Sequence, residues 1–315
     1  MLHPSLHALH AEFIAECRYT ARLAPATLRN YRAAFMVFTS VMPKLSLSSL
    51  TAATLTHFFR ELETRERASG RGRPQRGVKT STIATYRAKL NPFFKWLVAR
   101  QLIASSPFVG TTAPRVVYDE PQYLRKEQLD RIMAATDLTI EWSSSFVHRR
   151  SVAMITVLLY AGLRKGELLN LRTGDVDLDR AELRVGAQTS KSKSYRTIPL
   201  NHLACRRLAD YLEQRSKKRY LTSYLFVADE RDARLSEQGL RHLVKRIRQA
   251  SGVRFHVHQL RHTFAVNLIG SGSDVSVVQK LMGHKSIVST LIYLRAIPSP
   301  TMRKSIDALH WDSML

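Results

Sequence analysis

Apolar positions recur at steps of three and four through most of the first hundred residues, and that spacing predicts helices. Residues 25–40, 52–66 and 80–101 show it most clearly, with a weaker helix over 6–18. In the last long helix Ile83, Tyr86, Leu90, Phe93, Phe94 and Leu97 form a single stripe, which predicts one buried face. Pro25 suits a first helical turn, Thr80 or Ser81 is placed to cap the 80–101 helix, and Pro92 predicts a kink. Between the third and fourth helices the pattern breaks at RASGRGRPQRG, residues 67–77, where four arginines mix with Gly and Pro. Two readings of this segment stay open: a solvated loop, or a flexible finger that touches phosphates.

Residues 105–122 carry three prolines and no periodicity, as a linker between domains does. Beyond them a helix is expected over 125–135 and a buried one over 150–161, ended by Gly162. Residues 181–187 and 195–200 alternate like strands on either side of a polar turn, TSKSKS, and helices then resume. The predicted fold is mostly α. A small all-helical domain (1–108) and a linker (109–122) precede a mainly helical domain (123–315) that has a small antiparallel sheet and a tail at 298–315.

Composition sharpens this outline. The 315 residues include 49 Lys+Arg against 25 Asp+Glu, a formal charge of +24, yet the charged fraction, 23%, is ordinary. With 44% apolar residues the chain can fold, so a disordered polycation is excluded. The surface of such a protein is strongly positive and its default partner is a polyanion. Of the basic residues 35 are Arg, whose planar fork grips phosphate in two places, which favours nucleic acid over a membrane surface. The longest apolar run, residues 152–163, is about twelve residues, well short of the roughly twenty that span a bilayer. The first residues lack the basic leader and apolar core of a secretory signal. Cys17 and Cys205 make neither a disulfide framework nor a zinc site. A cytoplasmic protein is expected.

Four segments carry candidate chemistry. In AGLRKGELLNL, Arg164 follows a buried helix directly, and Glu167 stands three residues on, where it can brace the guanidinium. Lys191 and Lys193 occupy the strand turn. In HVHQLRHTF, His258 and Arg261 share one helical face while Leu260 and Phe264 share another. His256, His258 and His262 fit no zinc spacing, and no Cys or carboxylate lies near enough to complete a set. In LMGHKSIVSTLIYL, Gly283 ends a helix, His284 occupies the turn and Tyr293 lies on the next short helix. Singly, each of these has a bland explanation as a surface ion pair, a solubilising lysine or a core tyrosine. Together they are the inventory for cleaving a phosphodiester without a metal. Guanidiniums neutralise the phosphorane, histidine and lysine move protons, and tyrosine attacks.

In this order and spacing the chain resembles the tyrosine recombinase, or phage integrase, family over residues 123–297. Arg164 matches the family's first arginine, Lys191 its hairpin lysine, His258 and Arg261 its His-x-x-Arg motif, His284 its second histidine position and Tyr293 its nucleophile. Ser190 and Ser192 replace the usual glycine beside the lysine, so Lys193 stays open as the alternative. The helical first domain is similar to the family's core-binding domain by layout.

The resemblance implies a site-specific recombinase that needs neither metal nor ATP. Tyr293 forms a 3′-phosphotyrosyl link, Arg164, Arg261 and His284 hold the non-bridging oxygens, His258 handles a proton, and Lys191 protonates the leaving 5′-oxygen. It further implies double-stranded DNA sites as partners and a C-shaped clamp around the duplex. A homo-tetramer would act on two sites through a Holliday junction, with the tail, including Met302, Ile306 and Leu309, docked on a neighbour. A related recombinase or accessory proteins could join it; a membrane is not expected. With the core-binding layout starting within about twenty residues of Met1, the expected type is Xer-like or transposon-borne, without an arm-binding domain. A type IB topoisomerase and a non-catalytic DNA-binding protein are the alternatives.

The two lysines separate by experiment. Lys191→Ala and Lys193→Ala, each tested on a nicked suicide duplex, should differ. Lys191→Ala loses cleavage by on the order of 10²-fold or more, as removal of a general acid does, and Lys193→Ala does not. The reverse order transfers the role to Lys193.

Overall fold

The computed structural model describes residues 5–67, 75–116, 121–186 and 195–296. Lys191, Lys193 and the tail with Met302, Ile306 and Leu309 lie outside the described residues. The chain divides into two units, Met1–Asp119 and Glu120–Leu315, each with its own core.

Among the described residues the first unit has four α-helices, α1 (Leu6–Tyr19), α2 (Pro25–Val41), α3 (Ala52–Thr64) and α4 (Thr80–Ala99). Ser5 and Thr51 cap α1 and α3 through their side-chain oxygens, and Pro25 opens α2 where no backbone donor is needed. α4 starts at residue 80 as expected, but the cap position belongs to Lys79, so Thr80 and Ser81 are helical and not caps. Pro92 lies inside α4, which continues to Ala99. Phe93, Phe94, Trp96 and Leu97 follow it and are all buried. At roughly 1.5–3 kcal/mol for each large side chain, their burial outweighs the ~3 kcal/mol an interior proline costs. Phe38 anchors the core by meeting Phe58 and Phe94 edge-on, at 4.9 and 5.8 Å between ring centroids.

The arginine-rich segment is tied at its base. β1 (Glu66–Arg67) and β2 (Gln75–Arg76) pair antiparallel, Glu66 opposite Arg76. Two-residue strands are too short to show an alternation, so the hydrophobic pattern gives no sign of this pairing, and residues 68–74 lie outside the described residues. Further on, Phe108 is buried against the first core under the Arg87 guanidinium, 4.5 Å from its ring.

In the second unit α5 (Lys126–Ala134) ends in a π-type turn, Ala135–Thr139, and leads to α6 (Ser145–Ala161). Ser144 caps α6, which therefore starts five residues before the expected position 150. Residues Val152–Leu158 of α6 are buried on every side, which makes it the spine of the unit. A short α7 (Lys165–Asn170) turns the chain into a three-stranded antiparallel sheet of β3 (Val176–Asp177), β4 (Glu182–Val185) and β5 (Arg196–Pro199), in that order. Two strands were expected; β3 escapes detection for the same reason as β1. Leu183 opposes Ile198 and Val185 opposes Arg196, with Leu183, Val185 and Ile198 turned into the core. Five helices follow, α8 (His202–Lys217), α9 (Glu237–Ser251), α10 (Val257–Gly270), α11 (Val275–Met282) and the one-turn α12 (Val288–Leu291). A 3-10 turn, Ile292–Ala296, continues from α12. The fold is mostly α with a small antiparallel sheet, as the hydrophobic pattern predicts. Among the described residues no helix is long and apolar enough to cross a membrane.

Candidate active site

Gly162 ends α6 in the left-handed conformation, at φ 57°. A β-carbon there would lie 2.2 Å from the Phe264 ring, so only glycine fits both the turn and the packing. Leu163 drops into the core, and Arg164 emerges at the cap position of α7. Glu167, three residues on, accepts from the Arg164 backbone N–H and from its Nη1, both at 2.8 Å. A carboxylate at this place also answers the positive end of the helix.

Glu167 does more than brace Arg164. Its side chain is 4% exposed overall and receives two hydrogen bonds from Arg196 of β5, at 3.0 and 2.8 Å. Arg261 of α10 lies 3.7 Å from the same carboxylate. Burial alone would raise the Glu167 pKa. The Arg196 hydrogen bonds and charge, with those of Arg164, outweigh it and hold the group at about 2. One carboxylate thus gathers three guanidiniums and leaves the cluster with surplus positive charge, which suits an anion.

Backbone carbonyls at helix ends fix the arginines further. Arg164 Nη2 donates to the Gly283 carbonyl at 3.1 Å, and Arg196 Nε donates to that of Leu281 at 2.8 Å. Arg261, only 1% exposed, donates to the carbonyls of Gly162 and Met282, each at 2.6 Å. These oxygens sit at the negative ends of α6 and α11. Gly283 is left-handed at φ 63°, and a β-carbon there would come within 2.8 Å of the Arg196 guanidinium. Burial first, then the Arg164 charge, lowers the Arg261 pKa to about 10, which leaves it protonated at neutral pH.

His284 follows Gly283. Arg261 Nη2 donates to its Nε2 at 3.1 Å, so Nδ1 carries the ring hydrogen and donates to Thr290 Oγ1 at 2.9 Å. Burial, then Arg261 and Arg164, push His284 down to about 4, in keeping with that neutral ring. Tyr293 lies on the 3-10 turn, 2% exposed, with its ring nearly parallel to His284 at 6.3 Å. Burial raises its pKa, against the pull of Arg261 and Arg164, so the resting group is a phenol.

Five residues singled out in the sequence, Arg164, His258, Arg261, His284 and Tyr293, come together in this one unit. Lys191 lies outside the described residues; the strands on either side of its turn pair Val185 with Arg196, which itself belongs to the cluster. Two members were not anticipated. Arg196 stands in RTIPL as a strand residue whose partner is 29 positions earlier, and no local spacing shows it. His262 Nδ1 lies 3.0 Å from the Tyr293 hydroxyl. Its signal was its place one helical turn after His258 and next to Arg261. His258 stands one ring further back, edge-on to His262 at 4.2 Å; burial first, then Arg261, lowers its pKa. Among the described residues no three His, Cys, Asp or Glu side chains group as ligands for a metal ion.

Comparison with known proteins gives consistent matches. Residues 122–299 match the model of the Phage integrase family, and residues 11–101 that of its N-terminal SAM-like domain. The chain is 30% identical to tyrosine recombinase XerC of Bacillus pumilus, over 75% of this chain and 77% of that protein. It is 27% identical to XerC of Haemophilus ducreyi, over 93% and 91% respectively. Among solved structures, the XerH site-specific recombinase bound to palindromic difH substrate shares the fold with a TM-score of 0.72 at 21% identity, covering 95% of this chain and 84% of that one. The Tn1549 transposon integrase in complex with transposon right end DNA also scores 0.72, at 17% identity over 97% and 99%.

The Glu167 hub has a measurable consequence. Glu167→Gln leaves buried guanidiniums without their counter-charge and should lower stability by about 3–5 kcal/mol, the usual effect of breaking a buried ion pair. Because its folded pKa is depressed, Glu167 contributes stability that is complete above about 4.5 and is lost as pH falls toward about 2. Chemical denaturation of wild type and Glu167→Gln across pH 2–6 should therefore show the difference shrinking at the acid end. A constant difference would mean that the carboxylate's charge is not what stabilises the fold.

Proposed function

The chain belongs to the phage integrase family, and on that premise we propose that it cuts and rejoins DNA at specific sites through Tyr293. It is a tyrosine-type site-specific recombinase. The observation that carries the assignment of its nucleophile is that the buried Tyr293 ring lies nearly parallel to His284, which is hydrogen-bonded to Arg261, with Arg261 and Arg164 close enough to act on its phenol.

In this reading a scissile phosphate enters against the guanidiniums. Arg164 and Arg261 bind its non-bridging oxygens, and His284, held against Arg261, completes the cradle. Charge that develops on the phosphorane meets groups already in place, the arrangement that preorganised electrostatics rewards. Tyr293 Oη attacks phosphorus, the P–O5′ bond breaks, and the strand stays on the protein as a 3′-phosphotyrosyl ester. Lys191 gives a proton to the departing 5′-oxygen, and His258 handles proton transfer near the non-bridging oxygens. A 5′-hydroxyl from a second duplex reverses the steps and restores a phosphodiester. Because one phosphoester is exchanged for another throughout, no ATP is consumed, and the arginines supply the charge neutralisation that a metal provides elsewhere. A homo-tetramer on two double-stranded DNA sites, working through a Holliday junction, performs the exchange, with accessory proteins or a related recombinase where the sites require them. The surplus of basic residues, +24 overall, tracks backbone phosphates, so affinity falls steeply with salt.

Tyr293→Phe tests the assignment. With sites recovered by sequencing DNA that the wild-type protein retains covalently, the variant should bind them with unchanged affinity and form no adduct on a nicked suicide duplex. Adducts at the wild-type level would remove Tyr293 from the mechanism.

A further inference from the structure

The hydroxyl of Tyr293 faces a base that the sequence motifs do not include. His262 Nδ1 is 3.0 Å from Tyr293 Oη, with ring centroids 5.5 Å apart and planes inclined at 53°. His258 and His284 have other neighbours: the first meets the edge of His262, and the second is held between Arg261 and Thr290 through both nitrogens. From this geometry we propose that His262 is the general base that takes the proton from Tyr293 during cleavage and returns it during rejoining. The proposal rests on Tyr293 being the nucleophile and adds the destination of its proton.

The step balances without any further reactant. The Tyr293 O–H bond breaks as Oη–P forms, and the proton passes to Nδ1 of a neutral ring that carries its own hydrogen on Nε2. P–O5′ breaks, and the leaving oxygen becomes a 5′-hydroxyl with a proton from the lysine turn. In rejoining, the attacking 5′-hydroxyl returns its proton to the lysine turn as O5′–P forms, and the imidazolium gives its proton back to Oη as the phosphotyrosyl bond opens. His262 therefore ends each exchange as it began.

Electrostatics fits this use. The charged and titratable groups around His262 are His256, His258 and Arg261 of its own segment and Tyr293 opposite. Burial, then His258, His256 and Arg261, push it down to about 4, so it is neutral and able to accept. A base so weak at rest would do little. The negative charge of a bound phosphate favours the imidazolium, against burial and the nearby positive groups, and so raises its basicity at the moment the proton must move. Proton abstraction is thereby coupled to occupancy, and an empty site keeps Tyr293 as an unreactive phenol. The helix supplies the placement, since His258, Arg261 and His262 fall at i, i+3 and i+4 and so project toward one side of α10.

The test is single-turnover cleavage of a nicked suicide duplex by full-length wild type, His262→Gln and His262→Ala, each first checked for retention of the same DNA. Glutamine keeps a polar side chain of similar reach but cannot take up the proton. Both variants should bind as wild type and cleave on the order of 10²-fold more slowly at pH 7, the lower end for loss of a general base. The deficit should shrink as pH rises and the phenolate fraction of Tyr293 grows, although burial holds its pKa above the ordinary tyrosine value. A duplex with sulfur in place of the bridging 5′-oxygen should restore Lys191→Ala, whose fault lies with the leaving group, and should not restore His262→Gln. The proposal is overturned by wild-type rates in His262→Gln, by a deficit that is flat across pH, by rescue with the sulfur substrate, or by loss of DNA binding together with cleavage. Absence of a covalent adduct in wild type itself would instead defeat the nucleophile assignment on which the proposal stands.

Discussion

A buried carboxylate surrounded by guanidiniums is the constraint from which the rest of the second unit follows. Glu167 accepts from Arg164 at the α6–α7 corner and from Arg196 on β5, and it attracts Arg261 from the middle of α10. These three come from a helix corner, a strand and a helix interior, so satisfying one acid requires all three elements to be in register. Ion pairs of this kind add little to net stability, because removing the charges from water costs nearly what their attraction returns. Their effect here is positional. Arg261 at 1% exposure has nowhere to go, its N–H groups held by the Gly162 and Met282 carbonyls and by His284.

The glycine turns complete the device. Gly162 and Gly283 end α6 and α11 in the left-handed conformation, and their backbones offer carbonyls to Arg261 and Arg164. Each arginine is thus held by one carboxylate and by the negative ends of helices, while the field it projects remains positive. Burial, with neighbouring positive groups adding to it, keeps His262 and His284 neutral, and burial keeps Tyr293 protonated. The resting site is consequently inert, with every group poised for an anion. Placing the tyrosine on a 3-10 turn after a one-turn helix sets its hydroxyl against His262 without a long helix to fix it.

Much of this was legible in the chain, for physical reasons that also mark where legibility stops. The 80–101 stripe predicted the buried face of α4 because helical periodicity leaves a strong local signal, and Phe93, Phe94 and Leu97 are indeed buried. Arg164 stood out as a charge directly after an apolar helix, and Glu167 as its partner at i+3. Arg196 did not stand out, because a polar residue in a strand is ordinary and its partner is distant in sequence. His262 does not stand out either, because its spacing to His256 and His258 suggests only a metal set that fails; its contact with Tyr293 depends on how the last turns fold over α10. The strands β1 and β3 are too short for any pattern. The α4 helix passed through Pro92 because tertiary burial there exceeds the local penalty.

The central claim is that the arginines gathered by Glu167 direct a phosphate onto Tyr293, and its most direct test is the identity of the residue that carries DNA. Trapped adducts, digested with nuclease and trypsin and analysed by mass spectrometry, should place the nucleotide remnant on the peptide of residues 286–295, SIVSTLIYLR, at Tyr293. A remnant on any other tyrosine, such as the exposed Tyr195, would contradict the account.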